Sequence, residues 1–228
     1  MVELVLRSAS ILLCIGLSAL AQEQPPAGAP AQLDPVANPE SATNYNFVYG
    51  SVVPRDRKYV PLTGKQRAWL WVSGNFNTSI TIRALLPAAI DQLGHDPSGW
   101  QLGAKGYGLR SADRFGRFTI QDGMEIIGSA AMGYETRYIF SKSKSATGRA
   151  AHALAMNVVT IDKNGRWVPH IPRIASTIGA EFLCNQWLRK QDRTGAQVGK
   201  GMVIQFGISS AYNLVKEFAP EWRRFIKR

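Results

Sequence analysis

The chain has 228 residues, of which 45% are hydrophobic and 19% are charged. These proportions exclude a generally disordered chain and suffice for one hydrophobic core, so we expect a single folded domain. The 27 lysines and arginines outnumber the 16 aspartates and glutamates, which gives a formal net charge of +11. A charge of this sign and size favours anionic partners.

The N-terminus has the features of a secretory signal peptide over residues 1–21. Arg7 precedes a run of apolar and small residues at 8–20, and Ala19-Leu20-Ala21 matches the small-residue pattern of signal cleavage sites. The mature chain would then begin at Gln22, and an uncleaved anchor is the alternative. We therefore expect an exported protein, located in the periplasm or associated with the cell envelope.

Export changes which anions the basic chain would meet. Outside the cytoplasm the available polyanions are lipid headgroups and cell-wall polymers, so these are the expected partners and nucleic acid is not. A basic surface that serves only solubility is the alternative. After the signal peptide no segment has the run of about 20 apolar residues that a membrane span needs, so no transmembrane helix is expected in the mature chain.

Proline and alanine dominate residues 22–40, and we interpret residues 22–60 as a tether followed by an extended segment. Residues 61–228 are predicted to form one compact, mainly α-helical domain. Thr63 and Gln66 have the spacing of a capping box, which predicts the start of its first helix. Two apolar stripes at helical spacing follow and are expected to face the core: Trp69, Val72 and Phe76, and then Ile82, Leu85, Ala89 and Leu93.

The central stretch, from Trp100 to Phe140, is predicted to be a long helix with a start near Trp100. Because glycines cluster at 103–108, a break or a separate short turn is expected before Leu109. One stripe of small and apolar residues is expected to be its contact seam, and a neighbouring stripe of charged and polar residues is expected to face water. The seam comprises Leu109, Ala112, Gly116, Thr119, Gly123, Ile127, Ala130 and Tyr134. The predicted wet face comprises Arg110, Arg114, Arg117, Gln121 and Glu125.

The later part of the chain contains one hairpin signal. Residues that favour β-structure lie on both sides of Asn164-Gly165, which predicts one small β-hairpin. The segment Met202 to Ile208 alternates like a strand but also continues a helical stripe to the C-terminus. We favour the helix, with a kink or break at Pro220.

Basic residues concentrate in the segment 141–149 and at the C-terminus, where they form the polar side of an amphipathic helix. Such a helix can lie at a membrane interface, although docking on the core is the alternative. The residues predicted to contact an anionic surface are Lys142, Lys144, Arg149, Arg223, Arg224, Lys227 and Arg228.

Signals for catalysis are weak. Asp122, Glu125, Glu135 and Glu181 lie within apolar stretches, and two of them could act as the acid and base of a cell-wall or glycan hydrolase. Arginines are equally available to neutralise them in buried ion pairs.

Metal and cofactor motifs are not found. His95, His152 and His170 lack the spacing of metal ligands. The glycines at 103–108 lack both the preceding strand and the spacing of a dinucleotide loop, and Cys184 is expected to be a buried hydrophobic residue. We therefore predict neither a metal site nor a cofactor, and a non-catalytic structural or peripheral membrane or cell-wall role, with the hydrolase as the alternative.

Several short segments resemble exported bacterial proteins that have no established activity. They are Ala19-Leu20-Ala21, the stretch 106–115 (GYGLRSADRF), Asn185-Gln186-Trp187 and Glu217-Phe218-Ala219-Pro220. The resemblance would extend over about residues 60–225. It implies export and a shared helical domain, and it assigns no site residues.

Overall fold

The computed structural model describes residues 45–46, 50–53, 59–76 and 78–226. The predicted signal peptide and most of the tether lie outside this part of the chain, as do Lys227 and Arg228. The side chains of residues 78–81 and 222–226 are not described either, although their backbone belongs to helices.

Six α-helices lie in the described part of the chain, so the predicted fold class, a mainly α-helical domain with a small hairpin, is confirmed. The two longest, α3 and α6, contain 30 and 32 residues. The bounds are α1, Gly64–Asn75; α2, Thr78–Leu93; α3, Gly103–Met132; α4, Ala146–Ala155; α5, Ile171–Cys184; and α6, Gly195–Ile226. None of these helices has an apolar stretch long enough to cross a bilayer.

The described structure also contains two 3₁₀ turns, Asn185–Trp187 and Lys190–Asp192, and two short antiparallel pairs of strands. β1 (Tyr45–Asn46) pairs with β2 (Gly50–Ser51), and β3 (Val159–Ile161) pairs with β4 (Trp167–Pro169). The second pair is the hairpin predicted from Asn164-Gly165. Gly165 has a φ of 78°, a left-handed conformation that glycine adopts without steric cost.

The capping box at the start of α1 is present. The Thr63 hydroxyl accepts a hydrogen bond from the Gln66 amide at 3.3 Å, and the Gln66 side chain accepts one from the Thr63 amide at 2.9 Å. These two bonds satisfy donors that a helix N-terminus leaves free, so α1 begins at the predicted residue.

The central helix begins at Gly103, three residues after the predicted start, and has no break before Leu109. The predicted alternative to a break, a separate short turn, is present at residues 98–99, where the Trp100 amide donates to the Pro97 carbonyl at 3.0 Å. Residues 96–101 form a loop, and buried Arg110 of α3 binds it by donating to the carbonyl oxygens of Asp96, Gln101 and other loop residues. Four hydrogen bonds from one guanidinium to the loop outweigh the modest helix propensity of the residues that precede Gly103.

The side of α3 predicted to face water is wrong, whereas Gly116 and Gly123 of the predicted seam do lie against other side chains. An added Cβ would be 3.5 Å from Trp187 at Gly116 and 3.3 Å from Trp71 at Gly123. The charged stripe expected to face water, which runs from Arg110 to Glu125, is buried, and each of its members is at most 5% exposed. The stripe expected to be the contact seam is partly exposed, and Leu109 at its start is 41% exposed. The arginines lie in the interior because they bind carboxylates of other helices and carbonyl groups of the loop at 96–101. The stripe that was predicted to face water and is instead buried comprises Arg110, Arg114, Arg117, Gln121 and Glu125.

The apolar stripes of α1 and α2 also point outward. Trp69 and Phe76 of α1 are 60% and 80% exposed, and Leu93 of α2 is 85% exposed. The prediction that these stripes face the core is therefore wrong. Small residues such as Ala84 and Ala88 face the interior in their place and allow α2 to pack closely on α3.

The C-terminal region confirms the helical interpretation of Met202 to Ile208, which lie within α6. The predicted break at Pro220 does not occur, because α6 continues through this proline to Ile226. Cys184 is fully buried, as expected, and burial raises the pKa of its thiol far above the ordinary value.

A substitution at Gly123 tests the packing of α1 on α3. A Cβ atom at this position would lie 3.3 Å from Nε1 of Trp71, whose indole N–H donates to the Thr119 carbonyl. We expect Gly123→Leu to lower the free energy of unfolding by about 1 to 3 kcal/mol, because the larger side chain must displace the indole. Thermal unfolding followed by circular dichroism measures this. An unchanged or raised midpoint would show that Trp71 does not pack against this face of α3.

Candidate functional site

A polar cleft opens where α1, α2, α3, α5 and α6 come together. Its volume is about 140 Å³, enough for on the order of ten water-sized groups. Charged side chains from four helices line it: Arg83 of α2, Asp122 and Glu125 of α3, Arg173 of α5 and Lys216 of α6. The cleft therefore brings together charged groups that lie far apart in the sequence.

The first pair of charges in the cleft is Arg83 with Asp122. The guanidinium donates two hydrogen bonds to the two carboxylate oxygens, at 3.0 and 3.1 Å. It also lies 4.3 Å from the centre of the Phe118 ring, a cation–π contact. This bidentate geometry fixes both side chains and leaves the Asp122 carboxylate neutralised.

The second pair is Glu125 with Arg173, whose Nη1 donates to Oε1 of Glu125 at 3.3 Å. Burial raises the pKa of Glu125, and the positive charge of Arg173 opposes this effect. His170 lies 3.7 Å from the same carboxylate oxygen. Burial, together with Arg173, lowers the pKa of His170 to about 3, so this imidazole is neutral at physiological pH.

Lys216 differs from the other cations of the cleft. No hydrogen bond or ion pair to its ammonium exists in the described part of the chain. Its contacts are with aromatic rings, at 4.5 Å from the centre of the Tyr212 ring and 5.8 Å from that of Tyr138. Burial, with added repulsion from Arg173 and Arg83, lowers the pKa of Lys216 to about 7. Arg137 also lines the cleft and pairs with Glu135 at 2.7 Å. Lys216 is therefore the cation of the cleft that has no ion-pair partner in the described part of the chain.

The other two carboxylates considered for hydrolysis are also paired with arginines. Glu135 binds Arg137 at 2.7 Å, and Glu181 accepts a hydrogen bond from Arg117. Burial raises the pKa of Glu181, and Arg117 and Arg114 oppose this. Since Asp122 and Glu125 face arginines as well, the geometry of these four carboxylates gives the hydrolase hypothesis no support.

The residues predicted to bind an anionic surface have different environments. Lys142 and Lys144 are exposed. Arg149 instead binds the buried Glu217 carboxylate at 2.9 Å and also pairs with Glu221, so its charge is already neutralised within the fold. Arg223 and Arg224 belong to the backbone of α6, and their side chains lie outside the described set.

A second candidate surface is formed by the outward-facing apolar side chains of α1 and α2. From Ile82 to Leu93 every exposed residue is leucine or isoleucine, while the charged Arg83 and Asp91 turn inward. On α1, Lys65, Trp69, Val72 and Phe76 recur at spacings of four, three and four, which places them on one exposed stripe. We call the following residues the apolar face: Trp69, Val72, Phe76, Ile82, Leu85, Leu86, Ile90 and Leu93.

Sequence reasoning did not identify the cleft. It considered Asp122 and Glu125 but not Arg83, which interrupts an apolar run, or Lys216. One signal was present: Tyr212 and Lys216 are four residues apart, so a helix places them on one face. The convergence of five helices on that face is not visible in the sequence.

Within the described residues, no group of three or more histidines, cysteines, aspartates and glutamates is arranged to hold a metal ion. The only described free cysteine is the buried Cys184. Comparison of the chain with protein-family models, with curated proteins and with solved structures finds no match.

Proposed function

We propose that this protein is an exported, non-catalytic envelope protein that associates peripherally with anionic membrane surfaces through the apolar face of α1 and α2. One observation carries the proposal: the exposed side of α2, from Ile82 to Leu93, consists only of leucine and isoleucine, and the charged residues of this helix face inward. In a water-facing helix the arrangement is the opposite, with charged residues outside.

The composition of the apolar face favours a lipid surface over water. Amphipathic helices that lie in a membrane interface bury tryptophan, phenylalanine and leucine at the boundary between headgroups and acyl chains. Trp69 and Phe76 of α1 and Leu86 of α2 provide these side chains, and all three are more than half exposed. Moving such groups out of water is worth about 25 cal/mol per Å² of apolar surface.

The charge of the protein supports an anionic lipid as the partner. The chain carries a net charge of +11, and exposed lysines lie at the start of α1, at Lys65, and in the segment before α4, at Lys142 and Lys144. A basic side chain near an anionic leaflet contributes about 1 kcal/mol, and this attraction weakens as salt screens it.

Flotation with lipid vesicles tests the proposal. We expect the full-length protein to bind phosphatidylcholine vesicles that contain phosphatidylglycerol, and to bind them less at high salt. The double variant Leu86→Gln/Ile90→Gln should bind at least several-fold more weakly, because it removes apolar contact area from the centre of the face. Val203→Gln is the matched control, since Val203 is a 72% exposed apolar residue on a different helix, α6.

Two results would overturn the proposal. One is equal binding of the double variant and the wild type, or no binding by either. The other is a concentration-dependent dimer in sedimentation velocity that the double variant abolishes, which would make the apolar face an interface between two copies of the chain.

The double variant Lys142→Glu/Lys144→Glu should reduce vesicle binding only at low salt, because salt screens the attraction between these lysines and anionic headgroups.

A further inference from the structure

We propose that the cleft binds a small oxyanion, as a carboxylate or phosphate group, through the ammonium of Lys216. This inference does not rest on the membrane-binding proposal, because it concerns a different set of residues. The ligand class follows from the charges, hydrogen-bonding groups and size of the cleft.

The charges of the cleft leave one binding position for an anion. Asp122 is engaged by Arg83 in two hydrogen bonds, and Glu125 is engaged by Arg173, so these four groups neutralise one another. Lys216 has no such counterpart in the described part of the chain. Holding an ammonium in a partly desolvated site without an anion is costly, and a bound oxyanion would provide the missing charge.

The side chains next to Lys216 suit an oxyanion. Ser209, Tyr212, Asn213 and Lys216 are spaced three, one and three residues apart on α6, so they form one helical stripe, and all four line the cleft. The Asn213 amide donates one N–H to Oδ1 of Asn157 at 3.3 Å and has a second N–H. That N–H and the Ser209 hydroxyl can donate hydrogen bonds to carboxylate or phosphate oxygens. The stripe therefore combines one cation with polar groups that can orient a ligand around it.

The remaining walls limit the ligand's size and polarity. Leu70 and Trp71 of α1 and Ile126 of α3 form an apolar side of the cleft. A volume of about 140 Å³ accommodates a small molecule. The best match is a small organic acid or phosphate ester with one anionic group held by Lys216 and a short body against the apolar side.

Binding should depend on pH because only the protonated lysine attracts an anion. The ammonium of Lys216 faces Arg83 from α2, Asp122 and Glu125 from α3, Arg173 from α5, and the rings of Tyr138 and Tyr212. Burial and the two arginines lower the pKa of Lys216 to about 7, while the two carboxylates oppose this shift. Affinity is therefore greatest below pH 7 and falls as the pH rises through 7, and binding takes up a proton.

An NMR titration of the full-length protein with acetate and with inorganic phosphate tests the inference. At pH 6 both anions should shift the backbone amide signals of Ser209 to Lys216 in a saturable manner, and chloride at equal ionic strength should not. Acetate remains a monoanion from pH 6 to pH 8, so its affinity should fall about tenfold over this range as Lys216 deprotonates.

Lys216→Met separates binding from folding. Methionine retains much of the lysine stem and removes the charge, so the fold should persist, with an unfolding midpoint equal to or above that of the wild type. Saturable binding should be lost, whereas Lys105→Met, which alters an exposed lysine of α3, should leave it unchanged. Unaltered binding in Lys216→Met, or no saturable shift in the wild type, would overturn the inference. Vesicle flotation of Lys216→Met should match that of the wild type, which distinguishes failure of this site from failure of the apolar face.

Discussion

Replacing Gly106 by alanine is expected to destabilise the protein by about 3 kcal/mol or more. Gly106 is buried in the first turn of α3, where an added Cβ atom would lie 1.5 Å from the carbonyl oxygen of Gln101. That carbonyl belongs to the loop held by Arg110, and it accepts a hydrogen bond from the Arg110 guanidinium at 3.0 Å. The backbone must therefore move, and the movement disrupts the loop as well as the helix.

Gly108→Ala is the matched control, because it makes the same change two residues along the same helix. Gly108 is exposed, and among the described residues no atom outside its own stretch of helix backbone lies within 4 Å of its added Cβ position. We expect this substitution to stabilise the protein by about 0.5 to 1 kcal/mol, since alanine favours a helix more than glycine does. Chemical denaturation measures both variants. Equal effects of the two substitutions would refute the close approach of the loop to α3.

Arg114→Met is expected to cost about 3 to 5 kcal/mol of stability, because it leaves a buried carboxylate without its counterion. Arg114 and Asp91 are each 4% exposed, and they form two hydrogen bonds at 2.7 and 2.9 Å. Chemical denaturation of the single variant measures this loss. The penalty comes from the unpaired charge rather than from the lost attraction.

The double variant Asp91→Leu/Arg114→Met distinguishes these two sources of the penalty. It removes both charges and replaces them with apolar side chains of similar volume, so we expect it to recover most of the lost stability. A double variant as unstable as Arg114→Met alone would mean that the ion pair itself stabilises the fold. It would also show that charge burial is not what makes the single variant unstable.

Local signals in the sequence predicted local structure correctly. The capping box at Thr63 and the turn at Asn164-Gly165 depend on hydrogen bonds and dihedral angles within a few residues, and both features are present. The helical period of Met202 to Ile208 also identified α6, because a helical stripe that continues for another 18 residues is stronger evidence than a short alternation. These predictions required no knowledge of the rest of the chain.

Which side of each helix faces the interior could not be predicted from local signals. Periodicity showed that the arginines of α3 share one stripe, but their buried partners come from elsewhere in the chain: Arg114 pairs with Asp91 of α2, and Arg117 pairs with Glu181 of α5. The assumption that a charged stripe faces solvent therefore placed the wrong side of α3 in water. The same assumption placed the leucines and isoleucines of α2 inside, where Ala84 and Ala88 in fact lie.

The candidate site was missed for the same reason. Four of the helices that form the cleft each contribute charged residues, and none of these residues belongs to a recognisable motif. Lys216 resembles any basic residue on the polar side of an amphipathic helix until Tyr212, Arg173 and the rest of the cleft are placed around it. Helix packing, which the sequence did not reveal, creates this environment.

The buried charges of these helices explain how their outer surfaces can be apolar. Buried ion pairs between α2, α3 and α5 hold the helices together and orient them, so their outer surfaces need not be polar for the fold to form. In α2 this leaves Ile82, Leu86 and Ile90 exposed to solvent. Under the proposed function a membrane surface would bury these side chains, whose exposure is unfavourable in water.

Spin labelling on the apolar face tests this explanation most directly. Leu86→Cys and the control Val203→Cys, each in a Cys14→Ser background, provide one accessible thiol each, because Cys184 is fully buried. On addition of phosphatidylglycerol-containing vesicles, the label at position 86 should become more accessible to oxygen and less accessible to a water-soluble nickel complex, and the label at position 203 should not change. Vesicle binding without this change at position 86 would contradict the proposed role of the apolar face.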